Sequence, residues 1–349
     1  MEEALIGRDI LPELSDALAR HGIDGRLFII ADERVAERTH NRLAETLANN
    51  GHTVSSYLVP SGEESKNLRH AERIYHWLAE HRAERKEVIL AFGGGVVGDL
   101  AGFVAATYLR GMPYVQVPTT LVAQIDSSIG GKVAVDLPEG KNLVGAFYPS
   151  LITCIDIRFL ETLSQRDLLA GWAEVLKTAL LFDAPLFAEI AKQGPADLTP
   201  DFLLEVVPRC VRWKQKVVAE DPKEQSIRAL LNYGHTIGHA LEAATGYQTH
   251  LHGEAVAIGM HGAARIARHL GVLGEEAFAQ QQAAIAQYNL PLQYADVDPA
   301  AIHDAIALDK KNRQGKVRWI LLEDIGTPRI ESDVPQTLVR QVIHELRAS

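Results

Sequence analysis

The run Val88-Ile89-Leu90-Ala91-Phe92 leads directly into Gly93-Gly94-Gly95-Val96-Val97-Gly98-Asp99. An unbroken apolar run of this length suits a strand buried on both faces, the kind found in parallel sheets. Parallel strands need crossover connections, so a helix is expected after the glycines. The glycines fit G-x-G-x-x-G, a turn that lets backbone approach a pyrophosphate and aims helix N-terminal amides at it. Such turns also arise for packing alone, so the surroundings must decide. Upstream the pattern repeats: an apolar run over 26–31, helical periodicity over 35–50 ending at Gly51, a strand over 52–59 and a helix over 68–81. Short apolar runs follow at 114–117 and 151–155. This rhythm predicts an α/β domain with a mainly parallel, Rossmann-like sheet over 1–157.

Past Ile157 the character changes. The stretches 165–182, 202–220, 228–245, 253–270 and 275–288 read as helices, with strand character returning over 317–322. A mostly α-helical C-terminal domain is therefore expected over 158–349, with an active site in the cleft between the two halves.

In the common dinucleotide fold, the Gly-rich turn is the first strand-to-helix turn, and an acid about 20 residues on holds the ribose. Here two strand-helix units precede the turn, and no acid stands at that distance. Asp32 after the first of those strands, and Glu63 in Ser61-Gly62-Glu63-Glu64-Ser65-Lys66, are placed to take that role. A dense polar segment follows: Pro118-Thr119-Thr120, Asp126-Ser127-Ser128-Ile129-Gly130-Gly131-Lys132 and Gly140-Lys141-Asn142. Lysines beside glycines suit a phosphate-bearing ligand, through point charge and close backbone approach.

The second half carries Gly234-His235-Thr236-Ile237-Gly238-His239 and then Leu251-His252-Gly253-Glu254. Histidines four apart share a helix face, a third lies past the next turn, and Glu174 in Gly171-Trp172-Ala173-Glu174-Val175-Leu176-Lys177 adds a carboxylate. Three N/O ligands with one open position is what a catalytic zinc requires. Fourteen histidines occur in the chain, so surface or core histidines give the same spacing. The H-E-x-x-H of zinc proteases is absent. Lys177 falls one turn from Glu174, while Arg228 and Asn232 precede His235 on the expected face of its helix. Grouped cations in a chain of net charge -10 point to a pocket for an anionic substrate. That net charge also argues against nucleic-acid or anionic-membrane partners. Cys154 and Cys210 stand alone, so neither a disulfide framework nor a thiolate metal site is indicated. Met1-Glu2-Glu3-Ala4 has no signal-peptide character, and no apolar run reaches spanning length; a cytoplasmic protein is expected.

Taken in order, the motifs at 61–66, 93–99, 118–120, 126–132, 140–145, 171–177, 228–239 and 251–254 resemble those of the 3-dehydroquinate synthases, within the sugar-phosphate cyclase superfamily. The likeness runs from Asp32 to Asp309-Lys310-Lys311. It implies Zn2+ or Co2+ on Glu174, His235 and His252. It implies NAD on Asp32; Ser61, Gly62, Glu63, Glu64, Ser65 and Lys66; Gly94, Gly95, Val96, Val97, Gly98 and Asp99; Thr119 and Thr120; Lys132 and Lys141; and Phe159, Leu160, Glu161 and Thr162. Around the substrate it implies Asp126, Lys132, Asn142, Lys177, Lys214, Arg228, Asn232, His239 and Lys310, with Arg110 directed at the phosphate. Family members commonly read Val-Asn-His-Pro and Phe-His-Gln-Pro where this chain has Val135-Asp136-Leu137-Pro138 and Phe147-Tyr148-Pro149-Ser150.

The reaction so implied is that of a carbon–oxygen lyase, which turns a seven-carbon sugar-acid phosphate into a carbocycle with transient oxidation by NAD. His239 is the expected proton shuttle, since imidazole titrates near neutrality. A homodimer is implied too. The alternatives are another sugar-phosphate cyclase, or a glycerol-phosphate or polyol dehydrogenase of the same plan.

Overall fold

The structure, a computed structural model, describes residues 3–295, 297–312 and 317–348, with side chains at all of these except 40, 41 and 309–312. Two compact units emerge: 1–164 together with Leu203–Gln215, and Gln165–Phe202 together with 216–349.

Unit one is a six-stranded parallel sheet in the order β1 (Glu3–Gly7), β8 (Ile152–Asp156), β5 (Tyr114–Pro118), β4 (Val88–Gly93), β2 (Arg26–Asp32), β3 (Thr53–Val59). Strand residues alternate between two cores. Leu27, Ile29, Leu90, Phe92, Val115 and Cys154 face the helices Leu11–Arg20 and Asn41–Asn49. Phe28, Ile30, Ile89 and Tyr114 face the helices Leu68–Glu80 and Gly95–Thr107. Burial on both sides is why these strands read as continuous apolar runs. From β2 the chain goes outward to β3, then crosses back to β4 and on to β5. The direction of winding therefore reverses between β2 and β4, where doubly wound sheets bind ligands beyond the strand ends.

The dense polar segment is in part an antiparallel ribbon of β6 (Lys132–Leu137) and β7 (Gly140–Phe147). Its inward residues Val133 and Val135 join the core under Gly95–Thr107. The boundary expected at 157 falls instead after Ser164. Asp156 caps a short 3-10 helix, Ile157–Thr162, by accepting from the Arg158 N–H. That helix buries Ile157, Phe159 and Leu160, and the Phe159 ring lies 5.1 Å from Phe92, which ties the segment to the sheet.

Unit two is built round the helix His252–His269, buried along most of its length. It packs on Gln165–Phe182, His235–Ala244, Glu275–Gln287, Gln336–Glu345 and the hairpin strand β9 (Trp319–Asp324), whose partner is β10 (Thr327–Glu331). Close packing depends on small residues. A Cβ on Gly253 would lie 1.7 Å from the Ala170 carbonyl oxygen, and one on Gly259 would lie 1.9 Å from that of Gly234. The single helix expected over 228–245 is in fact two pieces, a 3-10 helix Ile227–Asn232 and an α-helix from His235. Gly234, at φ 81°, makes the break. Arg228 and Asn232 thus do not share a helix face with His235. Among the described residues no helix is long and apolar enough to cross a membrane.

Candidate active site

Glu174, on Gln165–Phe182, is 1 % exposed, and its Oε1 accepts no hydrogen bond. Two imidazoles converge on that oxygen. His235 Nε2 lies 3.6 Å and His252 Nε2 3.7 Å from Glu174 Oε1. Donors held at about 2.0–2.1 Å by one tetrahedral ion lie roughly 3.3 Å apart, so the set needs only a small contraction around a metal. Each ring is oriented from behind. His235 Nδ1 lies 3.1 Å from the Tyr233 carbonyl, and His252 Nδ1 lies 3.3 Å from Glu242 Oε1. Both Nε2 lone pairs are thereby turned toward Glu174. The Lys177 ammonium lies 2.5 Å from Glu174 Oε2 and supplies compensating charge.

His239 belongs to the same group: the ligand atoms of His235, His239 and His252 all lie within 4.8 Å of one another. Burial, then the Lys177 cation and the neighbouring imidazoles, holds His235 well below its ordinary value and keeps it neutral. Burial also opposes charge on His252, but the hydrogen bond and charge of Glu242 outweigh it and raise that ring's value. One acid and two imidazoles, partly desolvated, form a donor set suited to a divalent ion.

In unit one, Asp32 ends β2 and Gly93 ends β4, on either side of the point where the winding reverses. A Cβ on Gly94 would come to 3.0 Å from Thr120 Cγ2, and one on Gly95 to 3.0 Å from Ser127 Oγ, so any side chain in the turn would press on these two residues. The buried hydroxyls of Thr119 and Ser127 lack hydrogen-bond partners beside the free amides that start the Gly95–Thr107 helix. Buried orphan hydroxyls at a helix N-terminus fit a phosphate-bearing cofactor. Nearby, the Lys66 ammonium lies 3.1 Å from Glu63, 3.2 Å from Asp99 and 2.8 Å from Asn142 Oδ1. Lys141 also pairs with Glu63, at 3.3 Å. Burial lowers the charge preference of Lys66, yet these acids more than offset it and raise its value. Burial in turn pushes the Asp99 carboxyl up to about 6 against the pull of Lys66.

Family models described as 3-dehydroquinate synthase N-terminal and C-terminal match residues 56–170 and 171–312. A 3-dehydroquinate synthase of Desulforamulus reducens is 41 % identical over 97 % of this chain and 96 % of its own. The chain belongs to the 3-dehydroquinate synthase family. Among solved structures, 2-epi-5-epi-valiolone synthase from Streptomyces hygroscopicus, with NAD+ and Zn2+ bound, superposes with a TM-score of 0.92 at 31 % identity, covering 99 % of this chain and 96 % of that one. A 2-deoxy-scyllo-inosose synthase complexed with carbaglucose-6-phosphate, NAD+ and Co2+ gives 0.88 at 29 %, covering 98 % and 96 %.

Other residues that the 3-dehydroquinate synthase resemblance implies are placed as follows. Asp126 and Lys214 form an ion pair in unit one, the lysine coming from the Leu203–Gln215 segment. Asp32 Oδ1 caps its own helix through the Arg34 and Val35 amides and accepts from Ser61 Oγ at 2.6 Å. Gly62, Glu64 and Ser65 lie in the turn around the short 3-10 helix Glu63–Ser65. Val96, Val97 and Gly98 form the first turn of Gly95–Thr107. Phe159, Leu160, Glu161 and Thr162 follow β8, with Phe159 and Leu160 buried and Glu161 paired to Arg8.

Arg110 stands in a left-handed run, Leu109 at φ 51°, Arg110 at φ 64° and Gly111 at φ 120°. In unit two Arg228 is buried, donates from Nη1 to the Pro222 carbonyl and has its amide held by Asp221; Asn232 donates to Glu224. Lys310 lies on the helix Pro299–Asn312, and its side chain is outside the described residues. Glu242, Tyr233 and Ser127 went unassigned at the sequence level. Glu242 falls three residues after His239, and that spacing was its one available signal.

Proposed function

We propose that this chain is a 3-dehydroquinate synthase: it converts 3-deoxy-D-arabino-heptulosonate 7-phosphate to 3-dehydroquinate and phosphate. The observation that carries this reading is the convergence of two imidazoles on Oε1 of the buried Glu174 carboxylate, an oxygen with no hydrogen-bond donor of its own, in a chain matching such synthases over almost its whole length. Glu174, His235 and His252 would hold Zn2+ or Co2+, and the Gly94-Gly95-Val96 turn with Asp32, Glu63, Lys66, Asp99, Thr119 and Thr120 would hold NAD. When bound, the ion acidifies a substrate hydroxyl and the dinucleotide borrows a hydride and returns it, so net redox is zero.

The chain's own side chains do the rest. Lys132, Asn142, Lys310 and Arg110 bind the phosphate end by charge and hydrogen bonds, and Lys214 and Arg228 bind the carboxylate end. His239 moves a proton at the reacting hydroxyl, within the same imidazole group as the metal ligands. Lys177 keeps positive charge at the Glu174 carboxylate. Elimination expels phosphate, whose own oxygens serve as base, and ring opening with an internal aldol closes the carbocycle. The family reading extends to a cytoplasmic homodimer, which sedimentation of the purified protein and fractionation of cells test.

The deciding assay mixes protein, heptulosonate phosphate, NAD+ and Zn2+, and follows phosphate and nicotinamide absorbance together. Phosphate release without lasting NADH is expected, abolished by chelation and restored by Zn2+ or Co2+. Stoichiometric NADH would instead make it a dehydrogenase. Turnover only of sugar phosphates lacking a carboxylate would make it a different cyclase.

A further inference from the structure

Glu242 is a buried carboxylate for which the reaction has no use. It lies on His235–Ala244, seven residues after His235 and three after His239, so one helix face carries all three. A carboxylate inside a packed helix face is costly unless a partner needs its charge. Its partner is the His252 imidazole: Nδ1 lies 3.3 Å from Oε1 and 3.4 Å from Oε2. On the far side of the same ring, Nε2 points at Glu174 Oε1. An imidazole bridged in this way has its proton fixed on Nδ1, its plane fixed by two carboxylate oxygens, and its Nε2 lone pair made more basic.

We infer that Glu242 is a positioning residue for the metal site, holding His252 in the tautomer and orientation that donate Nε2 to the ion. His235 is held by the neutral Tyr233 carbonyl instead, so the two imidazoles differ in the charge behind them. His252 is the more exposed of the two rings, with a side chain 38 % accessible against 11 % for His235. Packing restrains it less, and the ionic partner replaces that restraint. The inference rests on Glu174, His235 and His252 being the ligands.

The test uses the full-length protein, parent and three variants: Glu242→Gln, Glu242→Ala and His252→Ala. Each is stripped of metal and titrated with Co2+ against a chromophoric chelator. The readouts are apparent affinity, the visible Co2+ spectrum and the melting temperature of the metal-free form. Glu242→Ala is expected to weaken binding about 10- to 100-fold, with Glu242→Gln, which keeps an acceptor but loses charge, falling between it and the parent. The Co2+ spectrum is expected to shift in both.

Parent-like affinity and spectrum in the Glu242 variants, with the ion lost in His252→Ala, overturns this inference alone. A fall in metal-free melting temperature with unchanged Co2+ affinity also overturns it, by making Glu242 merely structural. Parent-like binding in His252→Ala overturns the ligand assignment beneath it. If Glu242→Ala does not fold, Glu242→Gln, nearly isosteric, decides by the same criteria.

Discussion

Gly234 carries two burdens that can be separated by experiment. Its backbone is left-handed, at φ 81°, and an added Cβ would stand 2.6 Å from Met260 Cγ, 2.8 Å from Met260 N and 2.8 Å from the Val256 carbonyl oxygen. The last two are backbone atoms of the His252–His269 helix and cannot rotate away. An L-residue in this conformation costs about 1–2 kcal/mol, and forced overpacking adds about 1–3 kcal/mol. Gly234→Ala should therefore destabilise unit two by about 2–5 kcal/mol. Gly246 supplies the control, since it has φ 60° and nothing within 4 Å of an added Cβ. Gly246→Ala should lose only the conformational part, about 1–2 kcal/mol.

Both substitutions narrow the unfolded ensemble equally, so that effect cancels between them. Urea unfolding of the metal-free proteins, with each transition fitted separately, gives the comparison. Gly234→Ala should also weaken Co2+ binding, because Tyr233 and His235 flank the break. Equal losses of stability in the two variants would refute the packing account.

Two further outcomes follow from the titratable groups. His261 is buried at 1 % exposure, accepts from Arg265 Nε at 3.0 Å and is pushed down to about 4 by burial, then by the Arg265 and Arg268 charges. The unfolded chain takes up that proton near 6.5 and the fold does not, so stability is full above this value and is lost as pH falls toward about 4. The loss should be roughly 3 kcal/mol, and pH-dependent urea melts of His261→Gln should be flatter over that window.

The Lys66 ammonium ion-pairs with Glu63, Asp99 and Asp136. Lys66→Met should cost about 3–5 kcal/mol near neutral pH and weaken NAD+ binding. Because Asp99 already titrates at about 6, the loss should shrink on acidification and partly recover in Lys66→Met/Asp99→Asn. A pH-independent loss, measured by thermal melting, would exclude electrostatics as the cause.

Much of unit one was legible in the sequence because its strands are buried on both faces, which writes them as apolar runs such as 88–92. The β6–β7 ribbon was not, because only Val133 and Val135 are fully buried there, with Val144 and Ala146 packed against the core in part, while Lys132, Lys141 and Asn142 dominate the polar composition. The helix expected over 228–245 is broken by one glycine whose handedness is set by a neighbouring helix, and periodicity does not register that. Spacing brought forward the histidines and Glu174. It did not separate His239 from the ligand pair, and the geometry still keeps all three imidazoles together. Glu242 escaped notice because a buried helical glutamate looks, in sequence, like a solvated one.

Local order alone therefore determined the residue types at the site: apolar runs, glycine turns and i, i+4 pairs are set within a few turns of chain. What only the tertiary structure decided is which of those residues meet. Winding order placed Asp32 across from Gly93, although 60 residues of chain separate them, through a sheet that runs outward to β3 and then crosses back. Helices crossing at glycine contact brought Glu174, His235 and His252 to one point. Contacts of that kind depend on the shape of distant backbone, and no window of sequence contains it.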